Sequence, residues 1–177
     1  MGSLKSNLLL GLVGGLAGTA AMSAYFTALK KMAPDAMAAG AGEETSPEKL
    51  ARRVLKSAGV KKPSSDTRAI GGQAVHWGYG TSWGLAVGAT RAAGIPLDWG
   101  GGLLLGAGLW AFGDLWMVHK MGLARHPREY PMQMHASTLG AHLAYGLGVW
   151  AAVEGLGKLQ HNENKAWKKS RRWRDVA

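Results

Sequence analysis

Uncharged, mainly apolar stretches recur four times along the chain, at Leu8–Leu29, Ala69–Thr90, Trp99–Val118 and Met132–Val153, with Asp114 the one interruption. Each matches the roughly 20 residues that a helix needs to cross a bilayer core. A soluble amphipathic helix carries Lys or Glu about every turn on one face. The first two stretches carry no charge on any face. The pattern predicts an all-α integral membrane bundle of four transmembrane helices over residues 1–157, against the alternative of four buried helices in a soluble domain. Lys5 followed by Leu8–Ala17 also resembles a cleavable leader. Three further spans follow, so an uncleaved first helix is expected.

Polar residues fill the intervals. In the first loop, residues 30–68, Ser46-Pro47-Glu48 reads as a helix start, with Ser46 as N-cap, Pro47 at the first position and Glu48 near the positive dipole end. A short amphipathic helix is expected at about Pro47–Ala58, ended by Gly59, with Leu50, Val54 and Leu55 on one face and cations around it. Between two spans, such a helix lies on the membrane surface. The segment Ala33–Glu44 before it reads as a connector. Arg91–Asp98 and Arg125–Pro131 read as tight turns, and residues 158–177 as a basic tail.

Composition conceals this organisation, since a mean hydropathy of −0.06 averages near-neutral spans with a very polar loop and tail. Glycine, with 27 residues, changes the picture more. Gly80, Gly84 and Gly88 recur every four residues, as do Gly14 and Gly18, and Gly102 and Gly106. Small residues at that spacing let helix backbones approach closely in a membrane. The Gly80–Gly84–Gly88 face is expected either to pack inside the chain or to form a homodimer. The absence of cysteine excludes disulfides and thiol catalysis. The net charge of +10 gathers in the first loop (Arg52, Arg53, Lys56) and the tail (Lys168, Lys169, Arg171, Arg172). Beside spans, these residues read as contacts to anionic lipid head groups, each worth about 1 kcal/mol. Trp167 and Trp173 interleave the tail, yet no nucleic acid is expected. Basic residues divide almost evenly between the two faces, and the dense tail places both termini in the cytoplasm.

Ionisable residues inside the spans are the candidate chemistry. At 1.5 Å per residue, His76 lies about 10 Å into the second span, His142 roughly 15 Å into the fourth and His135 about 5 Å. Asp114 sits near the end of the third, on the same side of the membrane. His76, Asp114, His119, His135 and His142 therefore share one leaflet, where Gln73, Tyr79, Gln133 and Tyr145 can join them. Such residues are costly in lipid and face the bundle interior with a partner. Three roles fit: an interhelical polar clamp, a proton- or solute-handling site, and bis-histidine haem b held by two of His76, His135 and His142. No span has the His-x-x-x-His or Glu-x-x-His spacing of a metal site, and none is expected. His76-x-x-Tyr79-Gly80 is echoed by His142-x-x-Tyr145-Gly146, a faint internal repeat.

The run Gly101-Gly102-Leu103-Leu104-Leu105-Gly106-Ala107, then Met121-Gly122-Leu123, Pro127, Pro131 and Ala141-His142-Leu143, resembles the YagU-like family of bacterial inner-membrane proteins, over roughly residues 70–153. The resemblance implies a bacterial inner-membrane location and no catalytic residues. His119 stands where that family's pattern leads one to expect proline, and Asp114 where it has histidine. Gly11-Leu12-Val13-Gly14-Gly15 lacks the strand–helix setting and nearby lysine of a phosphate loop, and there is no Gly-x-Ser-x-Gly elbow. The chain is therefore expected not to be an enzyme, and no catalytic residue is assigned.

Overall fold

The computed structural model describes residues 3–36 and 42–174, and for most residues beyond Leu159 the backbone alone. The connector expected at Ala33–Glu44 lies partly outside the described residues, as do the side chains of Lys168, Lys169, Arg171 and Arg172. The described residues are helical, without strands: α1 (Leu4–Met32), α2 (Ser46–Ser57), α3 (Ser65–Ala92), α4 (Trp99–Lys120) and α5 (Met132–Arg174). Ser3, Thr45, Ser64 and Asp98 each accept a backbone N–H of the first turn that follows, starting α1 to α4 at defined residues. For α2 the cap is Thr45 and not Ser46. Glu48 returns a bond to the Thr45 N–H (2.7 Å), and this reciprocal pairing selects Thr45. Positive-φ glycines follow three helices, Gly59 after α2, Gly94 after α3 and Gly122 after α4.

The long helices run antiparallel to their sequence neighbours. α1 packs along both α3 and α5, and α4 packs along α5. Three seams of small residues set these contacts. On α1, Gly11 and Gly15 face Gly80, Gly84 and Gly88 of α3, where an added Cβ at Gly15 would stand 2.8 Å from the Gly80 carbonyl oxygen. Gly14 and Gly18 receive Val153 and Val149 of α5. Gly102 and Gly106 of α4 meet Gly146 and His142 of α5 backbone to backbone. The Gly80–Gly84–Gly88 face is therefore filled by α1 within the chain. Around the seams a small apolar core closes, with Met22, Val87, Leu109, Ala141, Tyr145, Val149 and Val153 buried.

The surface helix is docked on the bundle. Ala51 of α2 is buried against Gly71, and Glu48 lies over Gly72. Arg53 donates to the Met121 and Gly122 carbonyls (2.5 and 2.9 Å), closing the C-terminal end of α4. Arg52 pairs with Glu44 (3.0 Å), which also takes Arg68 (2.7 Å). Arg52 and Arg53, expected beside lipid head groups, thus also hold bonds within the chain; Arg53 and Lys56 are exposed. Val54, on the expected apolar face, is 57% exposed. No proline interrupts the chain after Val153, and α5 continues unbroken to Arg174.

Two helices among the described residues, Leu4–Met32 and Trp99–Lys120, are long and apolar enough to cross a membrane.

Gly84→Leu puts a large side chain against the Gly11 and Gly15 backbones, which cannot move aside. Overpacking of about 3 kcal/mol is expected, lowering the midpoint of thermal unfolding in detergent by roughly 10 °C. Gly78→Leu is the control, since nothing stands within 4 Å of an added Cβ there, and its midpoint should not move.

Candidate functional site

Asp114 sits in an irregular part of α4. The helix is α up to Leu109, where Gly102 and Gly106 seat it on α5, and then widens into π geometry over Trp110–Met117. The Val118 N–H accordingly reaches the Gly113 carbonyl, five residues back. Such π turns are rare and concentrate at functional sites, because the extra residue re-aims the side chains that follow it. Gly113, the buried member of this segment, leaves room for the Tyr79 hydroxyl, which lies 3.7 Å from where a Cβ would be.

The π segment does not close on α3. A cavity of about 630 Å³ remains between them, walled by α1 and α5 and covered at one end by the start of α2. Into it face Gln73, His76 and Tyr79 of α3, Asp114 of the π segment, and Thr138 and His142 of α5. Met22 and Phe26 supply apolar wall from α1. The volume lies within the range of small-molecule sites, roughly 300–1,000 Å³.

His142 Nδ1 lies 2.9 Å from the Thr138 carbonyl oxygen and 3.8 Å from Asp114 Oδ2. A carbonyl only accepts, so Nδ1 carries a proton, and the Asp114 distance is beyond a hydrogen bond. The Asp114 side chain keeps 37% of its surface accessible, against 14% for His142. His76 shares the cavity with both. The Tyr79 hydroxyl is buried and, among the described residues, meets no hydrogen-bond partner at ordinary geometry, its ring standing edge-on to Trp83.

Other residues expected in the cluster do different work. Tyr145 is 2% exposed and donates to the Gly80 carbonyl oxygen at 2.6 Å, tying α5 to α3. His135 also borders the cavity, but its Nε2 donates to the Pro127 carbonyl (2.8 Å) and its ring stands edge-on to Trp110 and Tyr130. It pins the turn before α5. His119 packs against His126, ring centroids 4.9 Å apart, and like Gln133 lies outside the cavity lining. The sequence reading missed Thr138, whose hydroxyl accepts from Trp110 Nε1 at 3.0 Å and joins α4 to α5 beside the cavity. Its only trace in the sequence is a position one turn before His142. Among the described residues no three His, Cys, Asp or Glu are placed to hold a metal ion.

These geometries separate ties from open groups. Tyr145→Phe removes a made, buried bond and should cost about 1 kcal/mol, lowering the unfolding midpoint by roughly 3 °C. Asp114→Asn breaks no hydrogen bond and should change stability by less than about 0.5 kcal/mol. A loss as large as that of Tyr145→Phe would make Asp114 part of a packing clamp.

Set against family models, curated proteins and solved structures, the chain matches none.

Proposed function

We propose that this chain is a four-span protein of the bacterial inner membrane, with both termini in the cytoplasm, whose cavity binds a small solute handled by His76, Asp114 and His142. The observation that carries this reading is that the polar side chains line one shared cavity and leave it open. A clamp that served packing alone would have Asp114, His76 and His142 bonded to one another. Here Asp114 stands 3.8 Å from His142, and His142 spends its Nδ1 proton on its own helix. Bis-histidine haem has less support, because His135 is held through Nε2 by a backbone carbonyl, leaving a single pair.

Several features favour the bilayer. α3 packs along α1, α5 packs along both long apolar helices, and both are uncharged through Ala69–Thr90 and Met132–Val153. Large apolar side chains face outward, Leu9 at 64% exposure and Leu104 at 75%, while glycines fill the inside. That distribution inverts the one a water-soluble domain adopts and suits helices that associate through small residues in lipid. The resemblance of residues 70–153 to inner-membrane proteins points the same way.

The natural chain lacks cysteine, so single introduced cysteines report cleanly. In permeabilised proteoliposomes, Gln73→Cys and His76→Cys should react with a charged, water-soluble methanethiosulfonate, and Leu104→Cys should not. Rapid labelling of Leu104→Cys would sink the membrane reading. Unreactive Gln73→Cys and His76→Cys would sink the hydrated cavity.

A further inference from the structure

Resting on that reading, we propose that the solute is a small organic cation, an amine with an apolar body, whose ammonium group is met by Asp114. The charge distribution carries this. The chain has 21 Lys and Arg against 11 Asp and Glu, yet among the described residues the cavity lining contains no Lys or Arg and two carboxylates, Asp114 and Glu48. Glu48 sits at the α2 end with Oε2 bonded to the Thr45 N–H and hydroxyl, whereas Asp114, on the π segment, makes no hydrogen bond among the described residues. Its nearest cationic candidate, His142, already donates Nδ1–H to the Thr138 carbonyl, so it does not close on the carboxylate. A carboxylate held in an apolar enclosure favours an entering cation and repels an anion.

The rest of the wall suits the body of such a ligand. Phe26 and Tyr79 present ring surface, which attracts ammonium groups as well as apolar carbon. The Tyr79 hydroxyl, beside Gly113, supplies an acceptor for a second ammonium N–H. Met22, Leu109 and Met117 complete an apolar surround.

Three probes of one shape and different charge test this: benzylamine, benzyl alcohol and benzoate at neutral pH. Their saturation-transfer NMR signals are read against the full-length chain in nanodiscs, corrected for empty nanodiscs. Benzylamine should bind, benzyl alcohol more weakly, and benzoate not above background. Asp114→Asn should weaken benzylamine roughly tenfold, the size of one lost charge-assisted bond, and leave benzyl alcohol unchanged. Gly113→Leu, which fills the space beside Tyr79, should abolish both. Benzoate binding as well as benzylamine, or benzylamine indifferent to Asp114→Asn, overturns the cation assignment and leaves the cavity standing. No probe above background overturns the cavity reading too. A co-purifying lipid that benzylamine does not displace, seen by native mass spectrometry, gives the cavity to lipid and also overturns the assignment.

Discussion

Backbone-to-backbone approach at glycine is the constraint on which the other features depend. α1 can lie against α3 only because Gly11, Gly15, Gly80, Gly84 and Gly88 present no side chains to one another. α4 can lie against α5 only because Gly102, Gly106 and Gly146 do the same. Contacts of this kind gain dispersion energy along the whole seam and need no water to drive them. They are also unforgiving. A flexible side chain yields to an intruding methyl group, and a helix backbone does not.

The seams also fix where the chain cannot close. α1 is drawn to α3 and to α5, and α4 only to α5, which leaves α3 and the far half of α4 without a shared seam. The space between them collects the polar groups that α3, α4 and α5 carry at that level. Tyr145 and Thr138 span neighbouring helices with hydrogen bonds and hold the walls apart at set distances. α2 caps one end, fastened by Arg53 to the carbonyls that terminate α4. Cavity and seam are therefore consequences of one packing pattern.

What was legible in the sequence follows from which interactions are local. The long helices show as stretches free of charge, and the shared level of His76, Asp114 and His142 follows from helical rise and antiparallel order alone. Thr45 and Ser46 are equally good caps by type, and the choice lies in the Glu48 side chain reaching back. The fate of Arg52 and Arg53 depends on carbonyls and carboxylates that the fold brings near, Arg53's partners lying 68 and 69 residues away. His135 was placed by depth, whereas its ring is set by the carbonyl of Pro127. The π geometry of Trp110–Met117 has no periodicity of its own to read.

That π segment separates two roles carried by one helix. The turns before it hold the Gly102–Gly106 seam, and the turns within and after it aim Asp114 at the cavity. Each residue of an α-helix turns the chain by about 100°. An in-frame loss of one codon between Trp110 and Met117 would draw this segment back toward that α repeat, leave the seam untouched and change which of its side chains face the cavity. Orientation of the carboxylate is thus encoded by the length of a short segment as much as by the identity of its residues. In evolution, a site built this way can be acquired or discarded in one insertion or deletion, while the scaffold that holds it goes on folding as before.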